Sequence, residues 1–244
     1  MRRNKAIGDQ DLTDVEIKVP DVTILIPAYN ESDSIQKAVL SVTQDQPGIL
    51  TEVLVLDDAS TDATVAKAEE AGATVFSVKK NIGKGAILNK FMAQAKGRYL
   101  LVLDADDYIA PNALTLLVSQ VDDYALAAQD NAFFAYGSTQ YHGGSDMRHI
   151  PAIVPTQKYF TTNPVCSVIL VPTEAVLNAG VKFSTDIYVF EDWLFIAALV
   201  KKKFRPLPFP EILVLHYQFD TAGRYKFLIE NNAQQRTLEA IRGL

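Results

Sequence analysis

Three groups of acidic residues have the composition and spacing of sites that bind cations or move protons. The densest is Asp104-Ala105-Asp106-Asp107, in which three carboxylates fall within four residues. Carboxylates so close together repel one another unless a cation or divergent orientations relieve them, and Mg²⁺ and Mn²⁺ prefer oxygen ligands of this kind. The pattern therefore favours a metal site over its structural alternative, a solvated turn before a helix with Pro111 near its first turn.

The other two acidic groups each leave two interpretations open. Residues 57–62, DDASTD, can bind a nucleotide base or ribose through one aspartate, or can form a turn in which Ser60 or Thr61 caps the next helix. Glu191 and Asp192 precede an apolar run, at a position where a helix dipole favours carboxylates. Composition alone makes a helix N-terminus the simpler interpretation of that pair.

The elements that would position these groups alternate regularly. We predict strands over 22–26, 53–56, 74–78 and 99–103, separated by helical segments over 35–42, 63–71 and 87–95. Continuous apolar runs of this length are typical of strands in a parallel sheet, and such sheets bind ligands beyond the carboxyl ends of their strands. The alternation predicts an α/β sheet with residues 28–31, 57–58 and 104–107 along one rim.

The alternation ends near residue 112. Beyond it we predict strands over 132–136 and 167–171, a loop over 138–151 and helices near 193–200 and 222–242. This mixed α+β half, residues 112–244, is expected to supply the wall for a second substrate, while residues 21–111 form the α/β half. Residues 1–20 are polar and aperiodic, which predicts a tail or an added strand.

The composition of the 244 residues excludes several classes of protein. The net charge of −6 provides no positive field for nucleic acid, so nucleic-acid binding is not expected. The single cysteine, Cys166, excludes an intrachain disulfide, and the three histidines lack the spacing of zinc ligands. No apolar run approaches the ~20 residues of a spanning helix, and the first residues do not form a secretory signal. These features predict a soluble, cytoplasmic protein.

Taken in their order along the chain, these segments resemble the family 2 glycosyltransferases. Residues 22–31 (VTILIPAYNE) are similar to that family's first strand and nucleotide loop, and residues 56–62 (LDDASTD) to its second-strand motif. Residues 80–85 (KNIGKG) with Asn89 resemble the following loop and helix, Asp104-Ala105-Asp106 the DXD metal motif, and Glu191-Asp192 the acidic pair near the acceptor. The resemblance implies the GT-A fold, a Rossmann-like, mostly parallel sheet flanked by helices, with a mixed α+β half that binds the acceptor.

The resemblance also implies a role for each matching residue. The nucleotide sugar would be bound along the rim of the sheet and the adjoining loop, by Ala28, Tyr29, Glu31, Asp57, Asp58 and Lys84. Asp104 would contact the ribose side, and Asp106, assisted by Asp107, would hold Mn²⁺ or Mg²⁺ on the diphosphate. Asp192, with Glu191 as second choice, would be the general base that takes a proton from an acceptor hydroxyl. The implied reaction is a direct displacement that inverts the anomeric carbon of a sugar, with a UDP-sugar as the expected donor.

The partners on the acceptor side stay open. A glycan, a lipid-linked molecule and a protein are all compatible with the resemblance, as is a homo-oligomer, and the expected product is a cell-surface glycan or glycolipid. Residues 201–203 (KKK) with Arg205 either contact anionic lipid head groups, as a peripheral protein at the inner face of the membrane would, or form a solvated helix end.

Two departures from the family's motifs keep a second function open. Residues 234–238 (QQRTL) lack the Gln-x-x-Arg-Trp motif of polymerising members, and residues 217–220 (YQFD) lack the Arg and His of a Tyr-Arg-x-His segment. The alternative is a non-catalytic nucleotide-sugar-binding or scaffold protein with the same fold. A receiver-like phosphoacceptor domain is disfavoured because it would leave residues 130–244 unexplained. A nucleotidyltransferase is disfavoured because residues 28–31 (AYNE) do not form a Gly-rich, basic phosphate loop.

Overall fold

A computed structural model describes residues 18–142, 148–165, 168–188, 190–218 and 232–244. The strands are β1 (Val22–Ala28), β2 (Thr51–Asp57), β3 (Thr74–Ser77), β4 (Tyr99–Val102), β5 (Tyr108–Ile109), β6 (Phe133–His142), β7 (Arg148–His149), β8 (Leu170–Pro172) and β9 (Arg205–Gln218). The α-helices are α1 (Ile35–Thr43), α2 (Thr64–Glu70), α3 (Lys84–Phe91), α4 (Ala113–Ala128), α5 (Thr173–Ala179), α6 (Glu191–Lys201) and α7 (Ala233–Gly243). Short 3₁₀ helices occupy Met92–Gln94 and Thr156–Phe160.

These strands form one sheet in the order β3-β2-β1-β4-β8-β6-β9-β5, with β7 paired to β6. The pairs β3–β2, β2–β1 and β1–β4 are parallel, which confirms the predicted α/β alternation. β8 runs antiparallel to β4 and to β6, whereas β6 and β9 are parallel to each other. The second half of the chain therefore extends the same sheet in mixed orientation.

The register of the parallel strands brings their carboxyl ends to one rim. Ala28 pairs with Asp57, and Asp57 pairs with Ser77. On the other side of β1, Leu25 pairs with Val102, and Asp104 follows directly after this strand. The loops after β1, β2 and β4 thus leave the sheet together, at the edge that the sequence predicts.

Helices cover both faces of the sheet because its strands are apolar on both sides. Ile24 is buried in a core formed with α1, α2 and α4, which includes Leu117. The next residue of β1, Leu25, points the other way, into a core that includes Ile87 of α3 and Ile196 of α6. Complete burial of these side chains stabilises each layer by roughly 1.5–3 kcal/mol per residue. The sheet is therefore the middle of three layers.

One predicted loop is wrong. Residues 138–151 were expected to form a loop, but β6 continues through His142 and pairs with β7. Ser138 and Thr139 are buried within the sheet, and the Ser138 hydroxyl donates a hydrogen bond of 2.6 Å to the carbonyl of Pro210. The prediction failed because hydroxyl side chains that find partners inside a sheet look like loop residues in a sequence.

Parts of other predictions fall outside the described residues. These parts are residues 1–17 of the predicted tail, residues 143–147 of the predicted loop, residue 167 at the start of a predicted strand and residues 222–231 of the predicted last helix. Of the remainder, residues 170–171 of that strand lie in β8 and residues 233–242 of that helix lie in α7. Within the described segments, no helix combines the length and apolar character needed to span a bilayer.

Candidate active site

The loops after β1 and β2 form one wall of the site, and side chains join them. The backbone N–H of Asn30 donates to the Ser60 hydroxyl at 2.9 Å, and the N–H of Thr61 donates to the Asn30 side-chain oxygen at 2.8 Å. The N–H of Glu31 donates to the Thr64 hydroxyl at 2.7 Å. These bonds fix the loop predicted to flank the nucleotide against the loop predicted to bind its base.

The predicted nucleotide residues of this wall differ in exposure. Ala28 is buried in the sheet, whereas the next side chain, Tyr29, is 47% exposed at the outer end of the loop. Asp57 and Asp58 are both buried. One Asp57 oxygen accepts a hydrogen bond from the N–H of Ser60 at 3.0 Å. Their assigned contacts with a nucleotide stay predictions.

Asp58 holds the loop that precedes α3. Its two oxygens accept hydrogen bonds from the backbone N–H groups of Ile82 at 2.8 Å and Gly83 at 2.7 Å. Because Lys84 is the first residue of α3, this pairing fixes where the Lys84 backbone begins. A buried carboxylate directly after β2 thus positions the lysine that begins α3.

The alternative role proposed for Ser60 and Thr61 is wrong. Helix α2 begins at Thr64, so neither residue is at its N-terminus. The Asp62 carboxylate instead accepts hydrogen bonds from the Thr64 N–H and hydroxyl, and these bonds lower the pKa of Asp62 to about 2. The N-cap residue itself is Ala63, and the first N–H of α2 is bound by the last acid of the motif, whose side chain reaches two residues forward.

The three aspartates after β4 form a compact cluster. One carboxylate oxygen from each of Asp104, Asp106 and Asp107 lies within 4.8 Å of the others. Burial raises the pKa of Glu31, and repulsion from Asp106 and Asp104 adds to this effect, although a hydrogen bond from Ser34 opposes it. Close carboxylate oxygens are the ligands that hard divalent cations take, so this donor set fits Mg²⁺ or Mn²⁺.

Lys84 connects this cluster to the second half of the chain. Its ammonium lies 2.6 Å from an Asp104 oxygen and 2.8 Å from a Glu191 oxygen. Burial acts to lower the pKa of Lys84, but attraction to Asp104 and then to Glu191 outweighs it and raises that pKa. The lysine is therefore charged over the whole physiological range and bridges the two walls of the site.

The acidic pair opens helix α6. Glu191 is buried, and its carboxylate is satisfied by Lys84. For Asp192, burial raises the pKa to about 6, with repulsion from Glu191 as the next cause and attraction to Lys84 opposing both. Phe190, just before the pair, has a left-handed backbone with φ of 64°, a conformation that a bulky residue adopts only when its surroundings enforce it.

Helix α3 is held against the segment that leads into α6. The Asn89 side chain donates to the Phe183 carbonyl at 2.8 Å and accepts from the Phe183 N–H at 2.9 Å. A Cβ on Gly85 would lie 1.9 Å from the Ser184 carbonyl oxygen, so only glycine fits there. The Phe183 ring stacks on Phe195 of α6 with centroids 4.0 Å apart. The sequence does not reveal these contacts, because 94 residues separate Asn89 from Phe183.

A cleft runs between these parts. Its empty volume, including the portion open to solvent, is ≈ 560 Å³. The polar lining consists of Lys84, Asp104, Asp107, Glu191 and Asp192, and the remaining lining residues are apolar. The structure thus brings Asp107, the predicted general base Asp192 and Lys84 to one cleft, whereas Asp106 does not line it.

Comparison with known proteins decides the family. The model of "Glycosyl transferase family 2" matches residues 23–185, more than half of the chain. The chain belongs to glycosyl transferase family 2. The matched segment contains the rim loops, Lys84 and the aspartate cluster, and it ends before Glu191. The resemblance inferred from the sequence motifs is therefore confirmed.

Curated relatives of this family 2 chain each match about half of it. The succinoglycan biosynthesis protein ExoO of Rhizobium meliloti is 38% identical over 108 residues, 43% of this chain and 31% of that protein. The succinoglycan biosynthesis protein ExoU of the same organism is 37% identical over 132 residues, 52% of this chain and 38% of that protein. Protein RfbJ of Shigella flexneri is 32% identical over 116 residues, 46% of this chain and 88% of that protein. The chain therefore spans about a third of the length of the two succinoglycan proteins.

Solved structures share the fold of this family 2 chain. S. aureus TarS residues 1–349 in complex with UDP-GlcNAc align with a TM-score of 0.69 and 18% identity, covering 84% of this chain and 60% of that one. The mannosyltransferase PcManGT of Pyrobaculum calidifontis, in complex with GDP-Man and Mn²⁺, aligns with a TM-score of 0.64 and 18% identity, covering 93% and 65%. These likenesses confirm the predicted GT-A fold.

Proposed function

We propose that this chain is a metal-dependent, inverting glycosyltransferase that moves a sugar from a nucleotide-sugar donor to an acceptor hydroxyl. The observation that carries the proposal is Asp192, a carboxylate with its pKa raised to about 6 that lines the same cleft as Lys84, Asp104 and Asp107. A general base works best when its pKa lies near the operating pH. Asp192 meets this condition, whereas Glu191 is already paired with Lys84.

Glycosyl transfer from a nucleotide sugar needs negative charge to be stabilised at one end and a proton to be removed at the other. Asp106 and Asp107, with Asp104 beside them, would hold the divalent cation, which supplies Lewis-acid stabilisation of the departing diphosphate. Asp192 would accept the proton of the acceptor hydroxyl at one carboxylate oxygen as that hydroxyl attacks the anomeric carbon. One displacement of this kind inverts the configuration of that carbon.

The donor is a nucleotide sugar, and we propose a UDP-sugar. TarS, which shares the fold, has been solved with UDP and with UDP-GlcNAc, while PcManGT has been solved with GDP-Man. Tyr29, Asp57 and Asp58 lie on the wall expected to contact the base. We assign the acceptor to glycan or glycolipid synthesis because two relatives are named for succinoglycan biosynthesis.

The decisive experiment measures UDP released from UDP-sugars with an acceptor mixture and Mn²⁺. Asp192→Asn keeps the shape of the side chain but cannot accept the proton, so transfer should fall by at least ~10²-fold while UDP binding by calorimetry is retained. Glu239→Gln, in the exposed last helix, is the matched control and should leave transfer unchanged. Anomeric NMR signals of the product report inversion directly.

Each outcome selects one function. Transfer that Asp192→Asn abolishes supports the enzyme and its base. Donor binding without transfer by the unmodified protein would favour the alternative, a non-catalytic nucleotide-sugar-binding protein. Equal transfer by both proteins would overturn the assignment of Asp192.

A further inference from the structure

The Lys84 ammonium group forms ion pairs with two carboxylates that come from different parts of the chain. Asp104 follows β4 on the wall assigned to the donor, and Glu191 begins α6 on the wall assigned to the acceptor. Both contacts of the ammonium are short, 2.6 Å and 2.8 Å, and Glu191 is buried. Asp58 and the start of α3 fix the backbone from which this side chain extends.

The same Asp104 carboxylate belongs to the cluster assigned to the divalent cation. Because oxygens of Asp104, Asp106 and Asp107 lie within 4.8 Å of one another, an ion bound to them would be only a few ångströms from the Lys84 ammonium. The Lys84 ammonium and the divalent cation are both positive, so at this separation they repel each other strongly. Salt weakens this repulsion only in part, because it screens partly buried charges less than exposed ones. Lys84 in its observed position therefore opposes cation binding.

We propose that the Lys84 ammonium group competes with the divalent cation for the Asp104 carboxylate. Tight binding of the cation therefore depends on the nucleotide. This inference rests on the proposed function. A diphosphate is an anion that an ammonium group binds well, so donor binding gives Lys84 a partner other than Asp104. The cation and the donor then bind cooperatively, and each raises the affinity for the other by the same factor.

The test measures binding of Mn²⁺ without nucleotide, from the electron paramagnetic resonance signal of free Mn²⁺. Lys84→Met removes the competing charge and is expected to bind Mn²⁺ tighter by roughly tenfold or more. Lys84→Arg keeps the charge and should bind Mn²⁺ as weakly as the unmodified protein. Lys80→Met removes an exposed lysine four residues earlier in the chain and is expected to change the affinity by less than about twofold.

A double variant separates competition at Asp104 from a change of net charge. Lys84→Met with Glu191→Gln removes one positive and one negative charge, so the formal charge around the cleft stays that of the unmodified protein. It also avoids leaving Glu191 buried as an unpaired charge, so it is expected to fold even if Lys84→Met alone does not. Competition predicts that this double variant still binds Mn²⁺ more tightly than the unmodified protein.

A second Mn²⁺ titration, with UDP present, measures the cooperativity between nucleotide binding and cation binding. The factor by which UDP raises Mn²⁺ affinity should be larger for the unmodified protein than for either variant that lacks Lys84. Equal nucleotide-free affinities in the unmodified protein and the double variant would overturn this inference and leave the transfer reaction standing. Absence of Mn²⁺ binding in every variant, even with UDP, would overturn the metal dependence and this inference together.

Discussion

Single residues on the rim of the sheet are held in a backbone conformation that costs free energy. Asn30 and Ala59 are both left-handed, with φ of 57° and 68°. Asparagine tolerates this region, and here its side chain also accepts a hydrogen bond from Thr61, whereas alanine has no such compensation.

Ala59→Gly should raise the free energy of unfolding by about 1 kcal/mol, measured by urea denaturation. Ala66→Gly, in the exposed middle of α2, should lower it by about 1 kcal/mol, and equal effects of the two changes would contradict the argument.

The pKa of Asp192 determines how activity depends on pH. Burial, followed by repulsion from Glu191, raises that pKa from 3.8 to about 6, so the carboxyl group is protonated in mildly acidic solution. A protonated carboxyl group cannot accept a proton, so kcat/KM should fall about tenfold per pH unit below roughly pH 6. The check is a pH profile of transfer, and a limb near the ordinary pKa of aspartate would contradict it.

The same shift predicts how stability depends on pH. Because the folded protein binds this proton more tightly than the unfolded chain, stability is lost as pH rises through 6. Asp192→Asn removes the partly buried charge and should be more stable than the unmodified protein at pH 8, by on the order of 2 kcal/mol. The difference should shrink toward pH 4. Denaturant unfolding of both proteins across this range measures it, and a constant difference would show that the shift is absent.

At the scale of elements, α3 joins the first half of the sheet to the segment that leads into α6. Asn89→Ala leaves the N–H and carbonyl of Phe183 without their side-chain partners, and should destabilise the protein by about 2–3 kcal/mol. Asn81→Ala, at an exposed position before the same helix, should change stability by less than about 0.5 kcal/mol. Thermal unfolding of the two variants compares them directly, and a similar small effect of both would mean that the α3 contact is weak.

The elements also show what a sequence can and cannot reveal. The apolar runs of β1, β2 and β4 and the acids after them were predictable, because a strand buried in a parallel sheet leaves a local pattern. The contact of Lys84 with Glu191 could not be predicted, because no local pattern relates residues in different halves of the chain. Ser138 misled the prediction because its hydrogen-bond partner, the Pro210 carbonyl, lies on a different strand, β9. The candidate site could therefore be predicted as a set of residues, but its charge pairing could not.

At the scale of the whole molecule, ligand binding should appear as added thermal stability. A nucleotide at ~100 times its dissociation constant adds about 2.7 kcal/mol, which for a chain of this size raises Tm by roughly 5–10 °C. We expect UDP with Mn²⁺ to give the largest shift among UDP, GDP, CDP and dTDP. Asp106→Ala should remove the part that depends on Mn²⁺. A larger shift with GDP would replace the UDP assignment, and no shift with any nucleotide would contradict the donor site.

The position of the single tryptophan of the chain determines what its intrinsic fluorescence reports. Trp193 directly follows Asp192, its side chain is buried, and its indole N–H donates to the Tyr159 carbonyl at 2.7 Å. Leu194, Ala197 and Ile241 surround it, so the ring lies where α7 packs on the beginning of α6. Intrinsic fluorescence excited selectively at the indole therefore originates from one point beside Asp192, the proposed general base. The protein thus carries its own optical label at the proposed acceptor site, and no dye needs to be attached.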